Sequence, residues 1–273
     1  MRLLSIGAPV VVAAVGFAAF QLAGAAPASA ATAPITVSAT SALDSTLVKS
    51  VTARCPAGRS AVGVAASTTR PWAVHLTGLV PNGRSATATA RVFSGTGFRW
   101  TLTVTAICAS TPAGLQYVSA TSSTPISEGS PAVGATATCP GAKRLIGLGG
   151  LVTGGRILSL MPQNNPANGT WLSGEPFTGT PGSLIVRSIA VCASAGFASR
   201  FPEPPLTTSA GQPVVSSASC PAGMFVYAAA GWVANAGAYI SDVTVNGTTG
   251  AALTLRSSVN QPFSGKVIPF CVG

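Results

Sequence analysis

The chain is poor in the side chains that perform chemistry. Its 273 residues include five carboxylates and one histidine, and charged residues make up only 7%. A lone His75 cannot build a multi-histidine metal site, and no two of the six cysteines stand at short ligand spacing, so no metal is expected. A serine triad would need His75 as its base, yet no Gly-x-Ser-x-Gly turn exists to present a nucleophile. Phosphate-binding loops, dinucleotide fingerprints and zinc-protease motifs are also missing, so no cofactor is expected. Aromatics are scarce at 6%, and Lys143-Arg144 is the one adjacent basic pair. A nucleic-acid groove interleaves cations with aromatic rings, and Arg99-Trp100 alone does not make one.

The N-terminus reads as an export signal over residues 1–30. Arg2 precedes an uncharged run from about Ile6 to Leu22, and Ala28-Ser29-Ala30 is a small-x-small cleavage site. The run is short for a membrane anchor, and no membrane contact is expected after cleavage. The sequence stops two residues after Cys271, so no sorting tail is expected. Losing Arg2 leaves fourteen basic residues against Asp44, Glu128, Glu175, Glu203 and Asp242. That balance suggests affinity for anionic surfaces outside the cell, such as envelope polymers or polysaccharide; the alternative reading is a solubilising charge on a carboxylate-poor exported protein. The oligomeric state is not readable.

What the chain does have is a threefold pattern. Cys55-Pro-Ala-Gly58, Cys139-Pro-Gly-Ala142 and Cys220-Pro-Ala-Gly223 open it; Ala106-Ile-Cys108, Ala190-Val-Cys192 and Pro269-Phe-Cys271 close it. The opening cysteines stand 84 and 81 positions apart. Six cysteines in an exported chain imply three disulfides, and the pattern selects Cys55–Cys108, Cys139–Cys192 and Cys220–Cys271. A closed loop of this length is worth roughly 4 kcal/mol in the chain-entropy account. After the signal, the units are read as 31–115, 116–199 and 200–273.

Period-two alternation predicts strands around the cysteines. Val51, Ala53 and Cys55 share one face, as do Ala135, Ala137 and Cys139, and Leu102, Val104, Ala106 and Cys108. Thr52, Arg54, Thr136 and Thr138 take the other. Paired cysteines would thus lie on neighbouring strands or face each other across a thin core. Asn82-Gly83, Asn168-Gly169 and Asn246-Gly247 read as hairpin turns. The expectation is an all-β protein of three tandem disulfide-stapled repeats. They form one pseudo-threefold prism-like or barrel-like body, with three separate small domains as the alternative.

With Val-Ser-Ala-Thr-Ser lead-ins before the first two units, the motifs resemble those of uncharacterised exported proteins of high-GC Gram-positive bacteria, which carry tandem Cys-Pro-Ala-Gly…Cys-Ala repeats. The third unit departs from the pattern, with Val272 in place of the final Ala. That resemblance implies no activity. In architecture alone, three disulfide-bearing β units also resemble the β-prism of egg vitelline-layer proteins and of some lectins, a likeness that carries no function.

The function expected is therefore non-catalytic: a secreted structural or surface-binding protein of the cell envelope or extracellular matrix. A lectin-like carbohydrate binder is one alternative, with Trp72, Trp100, Trp171 and Trp232 as candidate ligand contacts. Trp171, beside a predicted turn, is the candidate for exposure. The other alternative is a hydrolase assembled across units from Asp44, His75, Glu128, Glu175 or Asp242; against it, His75 reads as an ordinary surface or partly buried strand residue.

Overall fold

A computed structural model describes residues 32–273, apart from 94, 96, 128–129, 164–167, 178–181, 195–197, 203, 211, 236 and 260. The signal segment, Glu128 and Glu203 lie outside the described residues. Strands dominate, and no helix occurs among the described residues. The first third of the chain supplies β1 (Ile35–Thr40), β2 (Val48–Arg54), β3 (Arg59–Thr68), β4 (Val74–Asn82), β5 (Ser85–Val92) and β6 (Leu102–Ser110). The second supplies β7 (Gln116–Pro125), β8 (Val133–Thr138), β9 (Arg144–Thr153), β10 (Gly155–Gln163), β11 (Gly169–Pro176) and β12 (Ser183–Ala193). The third supplies β13 (Ser199–Arg200), β14 (Thr207–Ser209), β15 (Val214–Ser219), β16 (Phe225–Ala234), β17 (Ala238–Asn246), β18 (Gly250–Ser257) and β19 (Phe263–Val272). The lead-in strand, single in β1 and β7, is split into β13 and β14 where Pro202, Pro204 and Pro205 interrupt it.

Each third divides its strands between two sheets. The first sheet runs β1-β6-β3-β17-β18-β15, the second β13-β19-β16-β10-β11-β8 with β14 also on β19, and the third β2-β5-β4-β9-β12-β7. The halves join at Ala66↔Val243, Gly231↔Leu160 and Gly150↔Leu79. The first third thus pairs with the third, the third with the second, and the second with the first. The result is a three-sided prism around an approximate threefold axis, with one core shared by all three units. Separate small domains are ruled out by this exchange. Every sheet keeps two edge strands, so the body is a prism and not a closed barrel.

β3, β9 and β16 meet at the axis. Each carries a bulge at the same place, with Val62, Ile146 and Tyr227 as the extra residues. Bulging turns backbone carbonyls toward the neighbouring strand. A Cβ on Gly147 would overlap the carbonyl oxygen of Val62, and one on Gly63 would overlap that of Tyr227. Glycine is required there for close approach. Farther along, Leu76, Leu79, Ile157, Leu160, Ile240 and Val243 close around a void of only about 10 Å³, so the axis is packed and not a channel.

The disulfides have the expected pairing, each with a Cα–Cα distance of 5.6 Å. Both partners face inward from different sheets. Cys55–Cys108 joins the third sheet to the first, Cys139–Cys192 the second to the third, and Cys220–Cys271 the first to the second. Much of the core is alanine, including Ala61, Ala86, Ala88, Ala90 and Ala106. Alanines bury little area each, so covalent links between sheets add stability that thin packing does not.

The Cys-Pro turns explain their own sequence. Arg59 and Met224 donate N–H to Pro56 and Pro221, with Gly58 and Gly223 in the left-handed region at the third turn position. Asn82-Gly83 and Asn246-Gly247 close hairpins as expected. Asn168-Gly169 does not: Gly169 begins β11, and Asn168 accepts the Cys139 N–H.

Candidate functional site

Three residues that differ in every unit meet where β4, β10 and β17 begin. His75, Arg156 and Tyr239 each stand two residues before a bulge in their strand. Their cross-strand partners on β5, β11 and β18 are Arg91, Glu175 and Arg256. Phe93, Phe177 and Ser258 follow two residues later. Equivalent backbone positions thus converge on one end of the axis with unlike side chains.

His75 is fully buried, stacked between Phe93 and Tyr239 with ring centroids 3.8 Å from each. Neither imidazole nitrogen has a hydrogen-bond partner among the described residues. Burial, reinforced by the Arg156 charge, pushes its pKa down to about 2, so the ring is neutral. The surface or partly buried histidine expected from sequence is instead a core ring. Its neighbours come from strands that sequence could not align with its own.

Arg156 donates through Nε (2.9 Å) and a terminal nitrogen (2.5 Å) to one Glu175 oxygen, with Ser258 Oγ at 3.4 Å. Its guanidinium also sits 5.4 Å from the Tyr239 ring centroid. Tyr239 donates its hydroxyl to the Pro71 carbonyl, and burial pushes its pKa up to about 12. Asp242 accepts from the Thr68 N–H and the Ser241 hydroxyl at 2.9 Å each, and burial raises its pKa. A cavity of about 200 Å³ opens beside this cluster, lined by Arg91, Val92, Phe93, Arg156, Pro176, Phe177 and Ser258.

Of the hydrolase candidates, His75, Glu175 and Asp242 gather at this end, yet no described carboxylate bonds the imidazole. Asp44 lies elsewhere, on a bridge to Trp100. Its 2.9 Å ion pair with Lys49 and the Thr46 N–H hold its carboxyl well below the usual range.

The four tryptophans do not form one site. Trp100 is fully buried and donates to the Thr46 carbonyl, so it is a packing residue and not a ligand contact. Trp72, not Trp171, is the most exposed, with the Arg70 guanidinium over its ring at 5.1 Å. Trp171 is half-buried because its ring lies over Gly134, where a Cβ would overlap it. Trp232 and Trp171 share the outer face of the second sheet: Trp232 pairs with Ser159, and Trp171 with Met161 two residues on.

The cross-strand partners of the axial residues carry a periodic sequence signal. Arg91-x-Phe93, Glu175-x-Phe177 and Arg256-x-Ser258 stand 84 and 81 positions apart, the same period as the opening cysteines. The chain matches no protein-family model and no curated protein.

Proposed function

We propose that the protein is an exported, non-catalytic prism that works by surface contact with anionic polymers of the cell envelope or extracellular matrix. One observation carries this reading. Every described carboxylate is engaged internally: Asp44 by Lys49, Glu175 by Arg156, and Asp242 by Thr68 and Ser241. Arg54, Arg70, Arg84, Arg91, Arg99, Arg144 and Arg200 are exposed. The described surface thus offers cations with few competing anions, which favours polyanion contact. Three disulfides suit an oxidising compartment. The buried His75, remote from any carboxylate bond, gives hydrolysis no oriented base.

A lectin-like role is the second reading, favoured by Trp171 and Trp232 on one sheet face. Indole rings lying along a sheet offer flat apolar surfaces to sugar rings.

The test is retention of the mature protein on beads bearing an acidic polysaccharide, a teichoic polymer, peptidoglycan or a neutral glucan. Retention on an anionic polymer at low salt, with release by about 0.5 M salt as screening predicts, is the expected result. Flow-through on all four overturns the proposal. Retention on neutral glucan that persists in salt favours the lectin-like reading.

A further inference from the structure

We infer that the cavity at the His75 end of the axis is a single binding site for the carboxylate of an acidic sugar residue, with Arg91 as its anion contact and Phe93 and Phe177 as its walls. The polysaccharide reading enters only in taking the acid to be part of a sugar; the site itself stands on separate observations.

Arg156 is not the free cation of the pair. It is buried, and Glu175 and Ser258 occupy its donors. Arg91 differs. It is exposed, makes no hydrogen bond or ion pair with a described residue, and holds its guanidinium over the Phe177 ring, 5.4 Å from the centroid. A cation–π contact of this kind keeps the guanidinium beside the ring while leaving its N–H donors free. A planar fork of free donors matches a carboxylate bidentately. Within the cluster, Arg91, Arg156 and Arg256 face only Glu175 and Asp242, so one positive charge is uncompensated.

The walls decide against a bare inorganic anion. Phe93 is 37% exposed at the mouth, and Phe177 is half-buried opposite Arg91. Two phenyl faces and one hydroxyl, Ser258, suit a ring that is apolar on its faces and polar at its rim, as a pyranose is. The volume of about 200 Å³ admits a group of about that size and not a long chain. The lining comes from all three thirds of the chain: Arg91 and Phe93 from the first, Arg156, Pro176 and Phe177 from the second, and Ser258 from the third. Since the equivalent positions carry unlike residues, the prism has one such site, not three.

The test is calorimetric titration of the mature protein with D-glucuronate, its uncharged methyl ester, D-glucose, acetate and inorganic phosphate. Glucuronate should bind one to one, and each of the other four at least tenfold more weakly. Arg91→Gln and Phe177→Leu should each weaken glucuronate at least tenfold, whereas Arg54→Gln, on a strand of the third sheet, should not. Both site variants touch exposed or half-buried groups, and an unchanged thermal midpoint will show that they fold. Glucuronate binding no tighter than glucose overturns the inference, as does binding that Arg91→Gln leaves intact. Phosphate binding as tightly as glucuronate also overturns it. If beads retain the protein while glucuronate fails, this inference falls and the polyanion proposal stands. If glucuronate binds and no bead retains the protein, the reverse holds.

Discussion

The middle of the prism axis and its His75 end are both built from threefold-equivalent strand positions, and the sequence treats them in opposite ways. In the middle, the equivalents are Gly63, Gly147 and Ala228, then Leu79, Leu160 and Val243: small where backbones touch, aliphatic where side chains fill. At the end, they are His75, Arg156 and Tyr239. A threefold packing problem has three equal solutions, so the residues stay alike where packing alone decides. At the end the three side chains are still buried but border an open cavity, and there unlike residues assemble one asymmetric cluster. Broken equivalence is therefore the most informative signal in a chain with so little chemistry.

The largest effect expected from breaking this arrangement is excision of one third. In residues 31–115, β3 loses β17 and β4 loses β9, which leaves two three-stranded sheets packed on each other but stripped of the core shared with the other two thirds. Such a fragment buries too little to offset its conformational entropy. It should show no cooperative thermal transition by circular dichroism, whereas residues 31–273 should show one. A folded monomer of residues 31–115 would refute the shared core. The next largest effect is Gly147→Val. Its side chain would have to displace the backbone carbonyl of Val62, itself fixed in a bulge. A loss of at least about 3 kcal/mol is expected from denaturant midpoints. Ala228→Gly at the third equivalent position removes only a methyl and should cost about 1 kcal/mol. Equal losses at the two positions would mean that the axis contacts are not what makes glycine necessary.

The legibility of this molecule follows the range of each interaction. Alternation around Cys55 and Cys108 exposed the strands, and equal cysteine spacing exposed the disulfides, because both patterns are local or periodic. Which strands cross between sheets was not readable, since Val243 pairs with Ala66 over a long sequence separation and nothing near either residue records it. The axial cluster was hidden for a simpler reason. Residues 69–73 separate β3 from β4, but only Gly154 separates β9 from β10. The cysteine period therefore fails for His75 and Arg156, although it survives for Arg91, Glu175 and Arg256. Tryptophan exposure was misjudged because a ring's environment depends on the strand beside it. Gly134 gives Trp171 a bed that its own neighbours in sequence do not show.

An effect smaller than that of Gly147→Val sharpens the contrast at His75 itself. A buried imidazole with two unpartnered nitrogens costs about 1–3 kcal/mol relative to an apolar ring. His75→Phe keeps the stack with Phe93 and Tyr239 while removing both polar atoms. It should stabilise the fold by about 1–2 kcal/mol at pH 7, and His75→Leu should do so to a smaller extent. The pH dependence tests the cause. The folded-state pKa of His75 is about 2, against 6.5 for a free imidazole, so only the unfolded chain gains a proton as pH falls below 6.5. The contribution of His75 to stability is therefore fully present above pH 6.5 and is lost at about 1.4 kcal/mol per pH unit below it. Asp242 acts in the opposite direction. Its raised pKa gives stability present below about 3.8 and lost as pH rises through the folded value. Asp44, held low by Lys49, supports the fold above 3.8 and stops doing so in acid. Both carboxyls are common to wild type and variant, so subtracting the two stability curves removes them. The difference should be flat above pH 6.5 and widen in favour of His75→Phe below it; parallel curves would mean that His75 finds a proton-sharing partner and is not the neutral ring at the centre of this cluster.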